Sequence, residues 1–396
     1  RNDQFTNFNS ESVPYLRLTS PQWAPRVGFS WDVNGDSSFK VYGNAGRYYL
    51  AMPASVALRS AGASLYTQEY FTYTGIDANG IPTGLTPIKT STGGPISANL
   101  EYGVPRDPKT ATSKNLKSEY QDEYILGFDK KLGDSWVYGA KATYRNLRNA
   151  IDDIGDSFAI QNKMNALGID PTTYDPSQIQ GSYLINPGST STFEIPKIGG
   201  GYYDVPVTWK EFGFNTTLKR KYYGLDMYLE HPFDGKWSGK IDYLFSKSYG
   251  NSEGQVRSDI GQTDVSATVD WDYAQVMDYA NGDLANDRRH QLKAFGSYQI
   301  APEWLLSANA LVSSGSPQSC LGYYGSEQTN PGLGYGSFYH FCNGAPFSPG
   351  KTHNPWTYTL SLGAEYRPVW ADKKLAFNVF VYNVFDQQRI TQTYPR

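Results

Sequence analysis

Long hydrophobic runs are missing. No stretch approaches the roughly 18 consecutive apolar residues that a membrane-crossing helix needs, and the mean hydropathy is −0.53. A helical membrane protein is therefore excluded. A membrane β-barrel is not, because its strands alternate and average out as polar. Charge is scarce too: 18% of the chain is charged, and the net value is −3. There is no basic stripe, which excludes a nucleic-acid partner. Cysteine is limited to Cys320 and Cys342, both in a Gly/Pro/Asn-rich segment. In a reducing cytoplasm they would be idle thiols; in an exported protein they would close one loop as a disulfide. The chain opens at Arg1 with no Met, no basic n-region and no apolar h-region, and stops at Arg396 straight after a strand-like run. It reads as a piece of a longer chain, with any signal peptide outside it.

What the chain has in plenty is aromatic side chains, with 32 Tyr, 19 Phe and 9 Trp, set in period-two patterns. In Trp356–Tyr366 one face carries Trp356, Tyr358, Leu360, Leu362, Ala364 and Tyr366, and the other Thr357, Thr359, Ser361, Gly363 and Glu365. A helix would scramble that split; a half-buried strand requires it. The same alternation predicts strands over 26–33, 38–49, 120–128, 136–145, 222–233, 237–249, 292–300, 303–313 and 374–385. That makes about ten strands, most near the 9–11 residues a tilted strand needs to cross a bilayer.

The connections between strands discriminate further. Every second one is short: Asn34-Gly35-Asp36, Gly133-Asp134-Ser135, Asp234-Gly235-Lys236, Ala301-Pro302-Glu303 and Ala371-Asp372-Lys373. Asn-Gly and Asp-Gly steps suit tight hairpins that need positive φ. The intervening links, 50–115, 151–217, 251–285 and 316–355, are long. Strict alternation of short and long links is the habit of outer-membrane barrels, with short periplasmic turns and long outer loops. Trp136, Trp237, Trp304 and Trp370 stand next to the short turns, where an interfacial girdle belongs. The fold class expected is all-β, an antiparallel transmembrane β-barrel. A secreted all-β protein, such as a carbohydrate-binding sandwich, stays open as the alternative. A propeller is disfavoured because no blade-like repeat of constant period is present.

Several segments go beyond pattern. Arg145-Asn-Leu-Arg-Asn-Ala-Ile-Asp-Asp-Ile-Gly-Asp156, Ser248-Tyr-Gly-Asn-Ser-Glu-Gly254, Asn286-Asp-Arg-Arg-His-Gln-Leu-Lys-Ala-Phe-Gly-Ser-Tyr298 and Asn378-Val-Phe-Val-Tyr-Asn-Val-Phe-Asp386 resemble TonB-dependent outer-membrane receptors, and within them the Oar-like (OmpA-related) branch. The resemblance covers essentially the whole chain. It implies a barrel of about 22 strands with a plugged lumen, of which residues 1–396 would supply about strands 12–21. The plug, the TonB box and the closing strand would then lie outside this sequence. It also implies a bacterial outer-membrane location, lipid and lipopolysaccharide as surroundings, coupling to TonB through the N-terminal region not contained here, and an unidentified transported ligand. The rival is a passive porin-like barrel or surface adhesin that binds without pumping.

Catalytic chemistry finds little footing, and no catalytic residue is nominated. His231, His290, His340 and His353 form no metal-ligand spacing, Gly332-Leu-Gly-Tyr-Gly336 has no strand-turn-helix around it, and no Gly-x-Ser-x-Gly elbow appears. No cofactor is expected. The acidic segment 251–287 offers Asp259, Asp264, Asp270 and Asp272 as weak Ca²⁺ candidates, although the spacing is not that of an EF-hand and a solvated acidic loop is the better reading. Tyr66, Tyr70, Phe71 and Tyr73 are candidates for stacking on a ligand. The polar strand faces carry Glu119, Glu123, Lys141, Arg145, Lys240, Asp242, Lys293 and Glu365, which in a barrel would face the lumen, since charge facing lipid is costly.

Overall fold

The computed structural model describes residues 21–51, 56, 70–89, 108–174, 176, 179, 182–262, 265–332 and 334–395. Ten antiparallel strands form one sheet, each pairing with its neighbours in chain order: β1 (Arg26–Asp32), β2 (Phe39–Tyr49), β3 (Tyr120–Leu132), β4 (Trp136–Asn149), β5 (Arg220–His231), β6 (Trp237–Gly250), β7 (His290–Ala301), β8 (Trp304–Ser313), β9 (Thr357–Tyr366) and β10 (Phe377–Val381). The short strand Gly282–Asp283 adds to the end of β6. β1 and β10 are the two edges, and no pairing joins them among the described residues. No described helix is long and apolar enough to cross a membrane.

Register turns the alternation of each strand into two continuous faces. One row reads Val27, Ala45, Tyr124, Tyr144, Tyr223 across β1 to β5. The next reads Phe29, Gly43, Leu126, Ala142, Leu225, Phe245. The apolar set persists to β10, where Val381 lies opposite Leu362 and Val379 opposite Ala364. These side chains are covered by nothing: Leu126 is 58% exposed and Val379 66%. A face this large and apolar has to be covered by something, and hydrocarbon is a covering that strands with paired backbone accept.

Short turns stand at one end of the sheet. Gly35, Gly133 and Gly235 take φ of 74°, 62° and 96°, values that a side chain would strain. Asp234 caps its turn by accepting from the Lys236 and Trp237 amides at 2.8 and 2.9 Å. Beside that turn Trp136, His231 and Trp237 form an aromatic cluster, the His231 and Trp237 rings stacked at 3.9 Å. Several strand boundaries differ from the sequence pattern. β3 and β4 run on to Leu132 and Asn149, their extra residues held by pairing rather than by alternation. β10 is shorter than the expected 374–385, and Asn383, past its end, adopts left-handed backbone that strands cannot.

At the other end, the described residues of the links that follow β4, β6 and β8 are folded together. Helix α1 (Ser157–Ala166) is capped by Asp156, whose carboxylate accepts from the Phe158 and Ala159 amides. A hairpin, Ser191–Pro196 with Tyr202–Val207, points Phe193, Ile195, Val205 and Val207 inward. They join Ile160, Met164, Tyr183 and Trp271, all fully buried, and Trp209 stacks on Phe214 with ring centroids 4.1 Å apart. The chain thus carries a second hydrophobic core, made entirely of link residues.

Candidate functional site

Two regions carry chemistry: the polar face of the sheet and the lobe above it. On the polar face the charges pair across neighbouring strands. Lys40 meets Asp129 at 2.6 Å, Lys141 meets Asp226 at 3.3 Å, Arg145 meets Glu123, and Lys240 lies 3.6 Å from both Glu230 and Asp242. Glu365 holds Arg367 at 2.6 Å. Lys293 is exposed and stands opposite Asp242 in register. Glu119 lies apart, just before β3. It is 2% exposed, accepts from the Gln255 side chain at 3.1 Å, and burial pushes its pKa up to about 7. So Glu123, Lys141, Arg145, Lys240, Asp242, Lys293 and Glu365 share one face, and Glu119 sits under the lobe. Such half-exposed pairs are individually worth ~1 kcal/mol or less; their effect is to line this face with fixed, alternating charge.

In the lobe the acidic segment is not the solvated loop that its composition suggested. Arg257, 3% exposed, is its centre: Nε donates to Asp259 at 3.0 Å, and Nη1 lies 3.0 Å from Asp270. Burial raises the Asp270 pKa to about 6, while the Arg257 charge helps to hold Asp259 below its usual value. His340 packs against this group, and burial together with Arg257 pushes its pKa down to about 3. A guanidinium thus stands between the two carboxylates, Asp259 and Asp270, that were nominated for a cation. Asp272 points elsewhere, accepting from the Tyr335 hydroxyl. Asp264 and Tyr66 lie outside the described residues. Asp152, 1% exposed, accepts from the Thr268 amide and hydroxyl at 2.7 and 2.6 Å, tying this segment to the preceding link.

Tyr70, Phe71 and Tyr73 stand on an exposed hairpin, Tyr70–Thr72 with Thr86–Ile88. Two features escaped the sequence pattern. Asp122 falls on the apolar face of β3, held by Arg47 at 2.8 Å and Arg148 at 3.0 Å; a carboxylate flanked by cations two strands apart leaves no local sequence signal. Asp283, Asp287 and His353 also gather, with Arg289 on both carboxylates at 3.0 Å.

A family model described as an outer membrane beta barrel domain matches residues 14–361. The chain belongs to that family. The TonB-dependent transporter Oar of Myxococcus xanthus is 26% identical to it over 95% of the chain and 33% of Oar. Among solved structures, the outer membrane transporter YddB of Escherichia coli superposes with a TM-score of 0.51 at 12% identity, over 93% of this chain and 38% of YddB. The siderophore receptor PiuA of Acinetobacter baumannii gives 0.42 at 13%, over 93% and 32%. The chain spans about a third of the length of these relatives. This outer membrane barrel domain is antiparallel β and sits in the bacterial outer membrane, as its sequence implied.

Cys320 and Cys342 are bonded to each other in the link between β8 and β9, 22 residues apart. Ser319, next to Cys320, lines the same small cavity as Arg257, Asp259 and His340, so the bridge stands beside the Arg257 group. Replacing both cysteines by serine is expected to lower the stability of the lobe by about 3 kcal/mol through loop entropy. The loss should register as earlier proteolysis within 316–355, with migration of the folded barrel unchanged; equal proteolysis rates would count against it.

Proposed function

We propose that this barrel domain is part of an outer-membrane transporter, energised through TonB, that moves a ligand past the paired charges of its polar face. The observation that carries the reading is the combination of a ten-stranded sheet, short turns at one end and a folded lobe at the other. In this reading the lobe faces outward and captures ligand, with Tyr70, Phe71 and Tyr73 as contact candidates. The polar face lines the lumen, and Glu123–Arg145 and Lys141–Asp226 brace the wall or a plug. TonB would act through chain that lies outside these residues, and outer-membrane lipid and lipopolysaccharide would surround the apolar face. The step is transport and not covalent catalysis. A loop-bound Ca²⁺ has less room in this reading, since the Arg257 guanidinium already stands beside both Asp259 and Asp270.

Topology supplies the first test. Ser189 and Gly133 are both exposed, at opposite ends of the sheet. Cys320 and Cys342 are bonded to each other, so neither competes with an introduced cysteine for the label. A membrane-impermeant maleimide is expected to label Ser189→Cys on intact cells and to leave Gly133→Cys untouched. The reverse pattern would invert the assignment. Against the passive-pore rival, full-length protein reconstituted in liposomes is expected to pass no arabinose; free flux would favour a porin.

A further inference from the structure

We propose that residues 252–262 are a proton-controlled lid over the outer mouth of the polar face, held shut while Glu119 carries a proton and released when it ionises. The proposal rests on the reading of that face as the lumen wall. The segment leaves β6 at Asn251, whose side chain accepts from the Lys219 amide at 2.8 Å and donates to the Thr217 carbonyl at 2.9 Å. Four residues on, Gln255 Nε2 donates to Glu119 at 3.1 Å and lies 3.5 Å from the Ala51 carbonyl, both at the outer ends of β2 and β3. A few residues further, the Ile260 carbonyl accepts from the Tyr394 hydroxyl at 3.3 Å and the Ser258 carbonyl from Gln392 at 3.5 Å. Gln392 and Tyr394 belong to the chain that follows β10. Along the sheet, β2 and β10 stand eight strand spacings apart, about 38 Å. Residues 255–260 extend at most about 18 Å. One short segment therefore receives contacts from both flanks of the sheet. It does so on the polar side, because Glu119 has the parity of Glu123 on β3, and Arg220 that of Asp226 on β5.

The hold on β3 is a carboxyl with little to sustain its charge. Glu119 is 2% exposed, and no ion pair joins it to Arg220 or to any other described residue. Gly254 packs against both side chains: a Cβ on it would lie 3.2 Å from Arg220 Nη1, 3.6 Å from Glu119 Oε1 and 4.0 Å from Leu147. Its φ of 99° is one that a side chain would strain, so glycine is what lets the backbone settle there. The charged groups around this point are Arg220 on β5, Arg145 beside it on β4, and Glu253 and Arg257 on the segment itself. A protonated Glu119 fits under Gly254 and keeps Gln255. An ionised one needs water or Arg220, and gains either once Gly254 lifts away. Burial raises the Glu119 value to about 7, so the closed form is complete at lower pH and is lost as pH rises through that value.

Amide hydrogen exchange of the full-length protein in detergent, with each rate divided by that of the free peptide at the same pH, reads the lid directly. Protection over 252–262 is expected to fall about tenfold between pH 6 and pH 8. Glu119→Gln should keep at pH 8 the protection it has at pH 6. Gln255→Ala should lose at least fivefold already at pH 6. Asp270→Asn and Glu253→Gln, which remove the other buried carboxyls of the segment, should retain the wild-type step. A step that survives Glu119→Gln overturns the proposal, and so does one that only Asp270→Asn or Glu253→Gln abolishes. A second measurement asks whether the segment covers the lumen. Thr143→Cys lies on the polar face, between Lys141 and Arg145. Its labelling by a membrane-impermeant maleimide, relative to Ser189→Cys, is expected to rise at least threefold from pH 6 to pH 8, and to stay flat when Glu119→Gln is added. A flat ratio beside a clear exchange step would mean that the segment moves without uncovering the wall, which also overturns the lid. Failure of Ser189→Cys to label on intact cells would instead mark the topology itself as wrong.

Discussion

Replacing Arg257 by leucine is expected to loosen the lobe while the ten-stranded sheet stays assembled. The guanidinium is 3% exposed and holds Asp259 and Asp270, themselves nearly buried. Removing it leaves two carboxylates in a low-dielectric pocket without their counter-charge. Breaking a buried pair in this way costs about 3–5 kcal/mol, because the remaining charges cannot recover their hydration. The variant should respond by holding Asp270 protonated. A raised folded-state pKa means stability that is complete below the unfolded value and lost as pH rises through the folded one. The wild-type Asp270 value of about 6 already lies on that side of its ordinary 3.8. The deficit of Arg257→Leu should therefore be larger at pH 8 than at pH 5. Amide hydrogen exchange resolves the effect by region: protection should fall over 251–285 and 316–355 and persist in β3 to β6. A triple variant, Arg257→Leu with Asp259→Asn and Asp270→Asn, should recover much of the loss, since no buried charge remains. If the single variant exchanges like the wild type at both pH values, the group is not holding the lobe.

The sheet was legible in the sequence because lipid imposes a rule on every strand. Side chains of one parity must be apolar, and the charges collect on the other, so Trp356–Tyr366 or Trp237–Gly250 shows its two faces without any partner in view. The alternation of short and long links carried the topology for the same reason, since it reflects a boundary common to all the hairpins. The lobe obeys no such rule. Trp271 is buried by Trp209 and Phe214, about sixty residues earlier in the chain. Helix α1 buries only Ala159, Ile160 and Met164, too few to mark a periodic face. Acidic composition suggested solvation in 251–287, yet Arg257 and Thr268 provide partners that make burial tolerable. Asp122 was hidden by the opposite effect: the parity rule assigns its position to the apolar face, and only Arg47 and Arg148 on the neighbouring strands explain its presence. What the bilayer dictates can be read residue by residue; what long-range packing dictates cannot.

The parity rule has a direct consequence at β9. Leu362 lies opposite Ala308 on β8 and Val381 on β10, in the middle of the strand, and is 42% exposed. Ser361 lies opposite Asn309 on the other face. Arginine at a lipid-facing midplane position costs about 2–4 kcal/mol, and at a lumen-facing position far less. Leu362→Arg should therefore reduce the assembled, heat-modifiable form in the outer membrane, whereas Ser361→Arg should assemble normally and at most alter passage. A water-soluble sandwich would also be damaged by Leu362→Arg, so the pair of variants needs a second measurement. An apolar photoprobe dissolved in the membrane supplies it. Attachment at Leu360 and Leu362, with none at Thr359 and Ser361, is the expected pattern. Equal attachment at all four would mean that β9 does not separate lipid from lumen, and the assignment of the apolar face to hydrocarbon would fall with it.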